Sequence, residues 1–386
     1  MTTRSDQGSH ASAVQAGSRP IAVDLFAGAG GLSEGFIQAA FFVVLAVEHD
    51  PGAAATYERN HTRRKSKYRT EVLKEDVSTM NFVEVARRVK ERFGRLPDIV
   101  IGGPPCQGFS RANMRTRNSE NPANGMAVHF VRAVAALKPR MVVLENVADV
   151  ETFEEGHFVN GLLKAFNDIG YEAEYSILNA ADFGVPQRRR RIFVIAARDG
   201  LQIEFPRPTT LFDDRVTVWD AISDLPDVQN GNTTDVMEYG KKDGLTDYQT
   251  MMRRRTNGTV RNNLVSRNSD LVVKRYGHIP QGGNWANIPD DLMTNYKDKS
   301  RCHHWIYLRL RENEPSVAIT HFRKSMLIHP KHDRGLSVRE AARIQSFPDH
   351  FVFQGTIGSQ QQQVANAVPP LLARAVARCV RKSLGA

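Results

Sequence analysis

From Ile21 to about Ala197 the chain alternates short β-rich apolar runs with longer amphipathic stretches, and this rhythm restricts the fold more than any other feature. The strand-like runs are IAVDLF (21–26), FVVLAVE (42–48), DIVIGG (98–103), MVVLEN (141–146) and RIFVIAA (191–197). Between them GLSEGFIQAA, NFVEVARRVKERF, MAVHFVRAVAALK and FVNGLLKAFNDIG carry helical spacing. Strands of this length separated by helices imply βαβ units, and hence an α/β fold built on a parallel, doubly wound sheet. Ligands of such sheets bind beyond the carboxyl ends of the strands, so strand-end residues are the first candidates for function.

The rhythm stops near Leu201. FPRPTT reads as a Pro-broken linker, and residues 207–335 are rich in Arg, Asn, Gly and Thr without a sustained period. The reading is therefore a polar arm at 1–19, a first domain at 20–206, a smaller irregular lobe at 207–335, and a C-terminal segment at 336–386. Helical character returns in SVREAARIQSF and PPLLARAVARCVRKSL within that last segment. Arg253, Arg254 and Arg255 read either as solvated surface or as contacts to a polyanion.

No apolar run approaches the ~20 residues of a membrane span, and the N-terminus lacks the apolar core of a secretory signal, so a cytoplasmic location is expected. Three cysteines, Cys106, Cys302 and Cys379, build no disulfide framework, which fits a reducing compartment. Cys302 is followed by His303 and His304, but no second ligand pair accompanies them, and no metal site is expected. The net charge of +10 favours polyanionic partners once a site for nucleic-acid chemistry is present.

DLFAGAGGLSEGF follows the first strand and opens the first helix, where Gly28, Gly30 and Gly31 allow a ligand to approach backbone at a helix N-terminus. A dinucleotide fingerprint would need glycine where Ser33 stands, so the loop suits an adenosine-type cofactor held in a Rossmann-like manner rather than NAD or FAD. The second strand ends in Glu48, placed to accept hydrogen bonds from both ribose hydroxyls. Asp76, followed by Val77, closes the third unit and can hold an adenine amino group.

GGPPCQGFS follows the strand at 98–103. Its glycines and prolines make a rigid turn that presents Cys106 outward, and a cysteine nucleophile gains reactivity from helix dipoles and cationic neighbours. The next strand ends in Glu145, whose carboxyl group can donate when protonated or shuttle a proton. In PQRRRRIF the period of a strand puts Arg189 and Arg191 on one side, facing the cleft.

DLFAGAGG, PPCQGFS, ENV, QRRRR, REAARIQSFPD and VANAVPP, in this order, resemble the motif series of the DNA cytosine-5 methyltransferases. The resemblance spans about Ile21 to Leu201 and Leu336 to Ala377. It implies a Rossmann-like, AdoMet-dependent methyltransferase sheet with a smaller target-recognition lobe at 207–335, and a last segment that folds back onto the cofactor side. Cys106 is then the nucleophile toward cytosine carbon 6, Glu145 the partner of ring nitrogen 3 and the exocyclic amine, and Arg191, supported by Arg189, the contact that orients base and carboxylate. Phe26, Gly28, Gly30, Glu48, Asp76, Pro105 and Asn366 match the AdoMet-contacting positions, beside Gly31 and Val77. Ser110–Gly125 matches a mobile loop that closes on DNA. One departure is Ala365, where the family pattern has glycine before the asparagine.

The resemblance further implies a duplex DNA substrate, a flipped-out base, a monomer, and protection of host DNA alongside a restriction endonuclease. An RNA cytosine methyltransferase is built on the same scaffold; the large variable region and positive charge favour duplex DNA. A catalytically silent DNA-binding regulator is opposed by the presence of Cys106, Glu145 and Arg191 together, and a NAD-dependent oxidoreductase by Ser33.

Overall fold

The computed structural model describes residues 19–62, 69–105, 125–294, 305–324 and 326–386. Cys106, the segment 110–124, Cys302, His303 and His304 lie outside the described residues.

The central sheet is built from β1 (Ile21–Leu25), β2 (Phe42–Val47), β3 (Glu71–Leu73), β4 (Ile99–Gly102), β5 (Met141–Val147) and β6 (Glu172–Asn179). It is completed, after the two-residue β7 (Gln187–Arg188), by β8 (Arg190–Ala197). The strand order is β3-β2-β1-β4-β5-β8-β6. The first five strands of that order run parallel, as the sequence rhythm predicts. At the other edge β8 runs antiparallel to both β5 and β6, so the sheet is parallel over most of its width. Only residues 180–189 join β6 to β8, fewer than the dozen or so that a parallel crossover needs, so the chain turns back on itself.

Alternation along each strand divides the core in two. Ala22, Ile99, Ile101, Met141 and Val143 face one side, with α1 (Gly31–Gln38) and the C-terminal helices. Val23, Val100, Val142 and Leu144 face the other, against α3 (Phe82–Phe93), α4 (Met126–Leu137) and α5 (His157–Asp168). Between β2 and β3 lies α2 (Pro51–His61), which was not among the helical segments read from the sequence. It starts with proline in its first turn and with the Asp50 carboxylate accepting from the Ala53 N–H at 2.7 Å, two strong start signals. Its body, PGAAATYERNH, has a weak apolar stripe, so periodicity does not reveal it.

Among the described residues of 207–335 the elements are short: α6 (Val218–Ile222), α7 (Asp247–Met252), α8 (Asp270–Tyr276), the paired β9 (Met237–Glu238) and β10 (Thr259–Val260), and β11 (Ser316–Val317), which pairs with β7. Its apolar contacts divide. Val218, Ile222, Tyr239, Tyr248, Met252 and Val260 join the main core, whereas Tyr276, Ile279, Met293, Tyr307 and Ile328 form a separate small cluster.

The last segment forms α9 (Val338–Ile344), α10 (Ile357–Asn366) and α11 (Pro370–Ser383). α11 packs along α1 so closely that a side chain at Gly35 would overlap Ala373. Every residue of α9 is buried, its charged ones included. Arg343 joins Asp224 (Nη1–Oδ1 2.9 Å) and Asp349 (Nε–Oδ1 2.6 Å), and Arg334 pairs with Glu340 at 2.8 Å. α9 thus ties the 207–265 stretch to the C-terminal segment through paired charges, which is how charge is tolerated away from water.

Candidate active site

At the carboxyl end of β1 the backbone turns sharply. Phe26 and Gly28 have φ of 58° and 56°, and Gly30, at 96°, caps α1. The turn is tied to β2 by the Ala27 N–H donating to the Val47 carbonyl at 3.0 Å. It is tied again by the Gly28 N–H donating to Glu48 Oε2 at 2.7 Å. Glu48 Oε1 accepts from the Asp50 N–H at 2.8 Å. Each carboxylate oxygen keeps a lone pair beyond these bonds, so Glu48 can still accept two hydroxyl groups. In front of Gly28 a methyl group would meet nothing within 4 Å, which leaves open space at the turn. Gly31 instead packs against the Val368 carbonyl, where any side chain would overlap it.

Asp76, just beyond β3, caps a single 3-10 turn by accepting from the Ser78 N–H at 2.8 Å, and that bond holds its carboxyl below the usual range. It is solvent-exposed and ionised near neutral pH, whereas Val77 is buried beneath it. Asn366 ends α10, exposed, with Oδ1 accepting from Gln362 Nε2 at 2.7 Å. Gly28, Gly30, Gly31, Glu48, Asp76 and Val77 thus share the strand-end edge of the first three βα units.

At the ends of β4 and β5 the second group assembles. Asn146 Nδ2 donates to the Pro104 carbonyl at 3.1 Å, fixing the Gly103–Pro105 turn, which precedes Cys106 in the sequence. Gly103 lies against Glu145: a Cβ there would be 3.0 Å from Oε2. Glu145 is 8% exposed, and its Oε1 sits 2.9 Å from Arg191 Nε. Burial raises the Glu145 carboxyl above its ordinary value, with Arg191 and Arg189 acting against that rise. Burial likewise pulls the Arg191 guanidinium down, opposed by Glu145. The pair is a desolvated carboxyl group and guanidinium in contact, each opposing the shift that burial imposes on the other.

The strand period in QRRRR holds: Gln187 and Arg189 are buried, Arg188 and Arg190 exposed, and Arg191 largely covered. Arg189 does not end in the cleft, however. Its Nη1 and Nη2 donate to the carbonyls of Ile319 (2.8 Å) and Ala365 (2.7 Å), so it clamps β8 to the 207–335 stretch and to α10. Ala365, the departure from the family pattern, offers its backbone carbonyl to this clamp.

Two residues in the site's support were not singled out in the sequence. Gln345 receives Gln187 Nε2 at 2.9 Å and passes its own Nε2 to the Val364 carbonyl at 2.8 Å. Asp24, inside β1, is fully buried and takes the Ser33 hydroxyl at 2.6 Å, with Tyr57 on the same hydroxyl. A lone acid at a strand position ahead of a glycine loop was the available signal. Among the described residues no cluster of potential metal ligands occurs.

Residues 22–382 match the family model of the C-5 cytosine-specific DNA methylases. The Type II methyltransferase M.XorII of Xanthomonas oryzae pv. oryzae is 37% identical over 385 residues, covering 95% of this chain and 85% of the relative. M1.HphI of Haemophilus parahaemolyticus is 36% identical over 361 residues, covering 93% and 86%. Among solved structures, a DNA modification methyltransferase encoded within an E. coli prophage superposes with a TM-score of 0.75 at 27% identity, covering 95% of this chain and all of the other. The chain belongs to the C-5 cytosine-specific DNA methylase family and is a DNA cytosine-5 methyltransferase.

Proposed function

We propose that this enzyme methylates carbon 5 of one cytosine in a specific duplex sequence, using Cys106 as covalent nucleophile and AdoMet as methyl donor. The observation that carries the reading is the buried Glu145–Arg191 pair, across the neighbouring strands β5 and β8, beside the Gly103–Pro105 turn that precedes Cys106 in the sequence.

Cytosine carbon 5 is a weak nucleophile until a group adds at carbon 6 and interrupts the aromatic ring. The Cys106 thiolate forms the carbon–sulfur bond, and negative charge moves toward ring nitrogen 3. Glu145, whose carboxyl burial raises above its ordinary value, donates there when protonated, and Arg191 holds the carboxyl in orientation through Nε. Arg189 is a positioning residue, fixing β8 from behind through its carbonyl clamp. AdoMet, when bound, supplies an electrophilic methyl group to carbon 5. Loss of the carbon 5 proton to water and cleavage of the carbon–sulfur bond then release the product and restore the thiolate.

The residues present fit that cofactor. Glu48 would take the ribose hydroxyls with its spare lone pairs, ionised Asp76 the adenine amino group, and Phe26, Val77 and Pro105 the apolar ring faces. Gly28, Gly30 and Gly31 would give the backbone approach, and Asn366 a polar edge from α10. NAD is disfavoured by Ser33, which is buried and bonded to Asp24.

The target base is reached by flipping it from the duplex, at about a few kcal/mol. Within residues 207–335, the part with its own core, from about Tyr276 to Ile328, is the candidate for sequence readout. M.XorII and M1.HphI are Type II methyltransferases, which supports a role beside a restriction endonuclease cutting the same site. We read the enzyme as a cytoplasmic monomer; no helix among the described residues is long and apolar enough to cross a membrane.

The test is transfer of labelled methyl groups to duplex DNA by Cys106→Ser. Transfer is abolished while AdoMet binding, followed by calorimetry, is retained. Turnover at the parent rate in this variant overturns the nucleophile assignment. Bisulfite sequencing of DNA from expressing cells then reads the target site.

A further inference from the structure

A second concave site lies along the edge of the sheet opposite the strand ends just described. Arg19 precedes β1, Ala40 and Phe41 lead into β2, Phe42 and Val43 open it, and Thr70 leads into β3; all line one cavity of about 610 Å³. They mark the amino ends of the strands, so this space is separate from the Glu48–Asp76 edge. It reaches inward along α1 to His61, and a Cβ on Gly30 would lie 2.7 Å from His61 Nε2. The cavity therefore adjoins the glycine turn without including any residue assigned there to cofactor or base.

Its wall is strongly cationic. Arg254 and Arg255 enter from the loop after α7, and Arg374 and Arg378 from α11. Positions 374 and 378 are four apart and so lie on one helix face, where like charges repel. Arg374 is half-buried, and burial together with Arg378 and Arg254 holds its guanidinium below its usual value. Among the described residues no carboxylate stands within ion-pair reach of these four arginines. The acid in the wall is Glu34, and it is engaged by Gln38 Nε2 at 2.9 Å and approached by His61 Nδ1 at 3.9 Å. Arg253, by contrast, is neutralised by Asp224 at 2.7 Å, so the triple arginine splits into one structural member and two that face the cavity.

Apolar side chains also line the cavity, Ile37, Phe41, Met251 and Leu371, the last two each three residues from Arg254 and Arg374. A second hollow continues past Arg378 to Arg381 and to Lys382, which is paired with Glu204 at 2.8 Å. Convergent unpaired cations stabilise an anion in proportion to its charge, and guanidinium groups suit phosphate oxygens through paired N–H donors. The apolar side chains fit a ring system, and the volume falls in the range of small-molecule sites. A duplex is too broad and convex to enter a hollow of this size.

We propose that this cavity is a binding site for a small phosphorylated ligand bearing an apolar ring, of the nucleoside di- or triphosphate class, distinct from the methyl-donor and DNA sites. Phosphate groups lie among Arg254, Arg255, Arg374 and Arg378, and the ring lies against the Phe41 and Met251 side.

The experiment titrates a fluorescent ATP analogue into the full-length enzyme without divalent metal, with saturating S-adenosylhomocysteine to block the adenosine site. Saturable binding is expected, weakened at least about tenfold by Arg374→Gln/Arg378→Gln, as for loss of charge-assisted phosphate bonds. Arg254→Gln/Arg255→Gln changes exposed residues on another segment and should weaken it comparably, with thermal unfolding and methyl transfer at parent levels. Absence of saturable binding, or affinity at the parent level in both variants, overturns the proposal. Displacement of the probe by duplex DNA lacking the target, with both variants losing DNA affinity in parallel, also overturns it, since the surface is then a backbone track.

Discussion

At Gly103 the absence of a side chain sets the position of a functional carboxylate. Its would-be Cβ lies 3.0 Å from Glu145 Oε2, closer than van der Waals contact allows without movement. Gly103→Ala should therefore displace the carboxyl from Arg191 Nε while leaving the surrounding core intact. The expected outcome is a fall in kcat of about tenfold or more with little change in thermal stability, since displacement of about 1 Å at a reacting group can carry up to a hundredfold effect. A parent kcat in this variant would free Glu145 from any positional requirement. Asp24 makes a different prediction. Burial raises its carboxyl to about 7 from an ordinary 3.8, and Oδ1 has no hydrogen-bond partner. Between those values the folded state holds a proton that the unfolded chain releases. Stability from this group is thus complete below about 3.8 and is lost as pH rises toward 7. Urea unfolding at pH 5 and pH 8 should show a smaller loss in Asp24→Asn than in the parent, by about 3 kcal/mol, for the two units between pH 5 and about 7 at 1.36 kcal/mol each. Identical pH dependence in the two proteins would contradict a buried neutral Asp24.

Elements were legible in the sequence where periodicity was strong and invisible where it was not. β1, β2, β4, β5 and β8 fall within a residue or so of the apolar runs that predict them, because each is buried on both faces. β6 was not read: EAEYSILN exposes Glu172, Tyr175 and neighbours at the sheet's edge, so it lacks a continuous apolar signature. The direction of β8 was equally hidden, since an apolar run of period two carries no sense of parallel or antiparallel. α9 was read as helical from REAARIQSF, but nothing local announced that its arginines would be entirely buried. Their partners lie far along the chain, at Asp224, and just beyond the helix, at Asp349. Replacing Arg343 with methionine keeps volume and removes the charge, leaving Asp224 with Arg253 alone at 2.7 Å and Asp349 with the more distant Arg339 at 3.8 Å. Breaking one partner of a buried pair costs about 3–5 kcal/mol. Arg343→Met should lower stability by that order in urea titration, and Arg343→Met/Asp224→Asn should recover part of it. No recovery in the double variant would mean that the ion pair is not the source of the loss.

Across the whole molecule, the motif residues in the sequence correspond to two adjoining stretches of one sheet edge, whereas the rest of the charge does not sort itself by sequence. The acids Glu48, Asp76 and Glu145 sit at strand ends, where the alternation of strands and helices puts them. The arginines take three distinct roles that composition cannot separate: Arg189, Arg339 and Arg343 are buried and bonded, Arg191 faces a carboxylate, and Arg254 and Arg374 line a cavity without partners. The net charge of +10 therefore overstates the number of cations free to meet phosphate. This bears on how DNA binding responds to salt, because each phosphate contact releases counterions and steepens the dependence by about 0.9 in log K against log salt. With as few as two such contacts, affinity for duplex lacking the target falls about tenfold between 50 and 200 mM salt. Affinity for S-adenosylhomocysteine, held by Glu48 and the glycine turn instead of by surface cations, should change by less than about twofold over that range. Fluorescence anisotropy with labelled duplex, beside calorimetry with the cofactor product, measures both. A DNA affinity that stays level across the range would mean that neither lobe engages the backbone through its free arginines, and that the cations belong to other ligands.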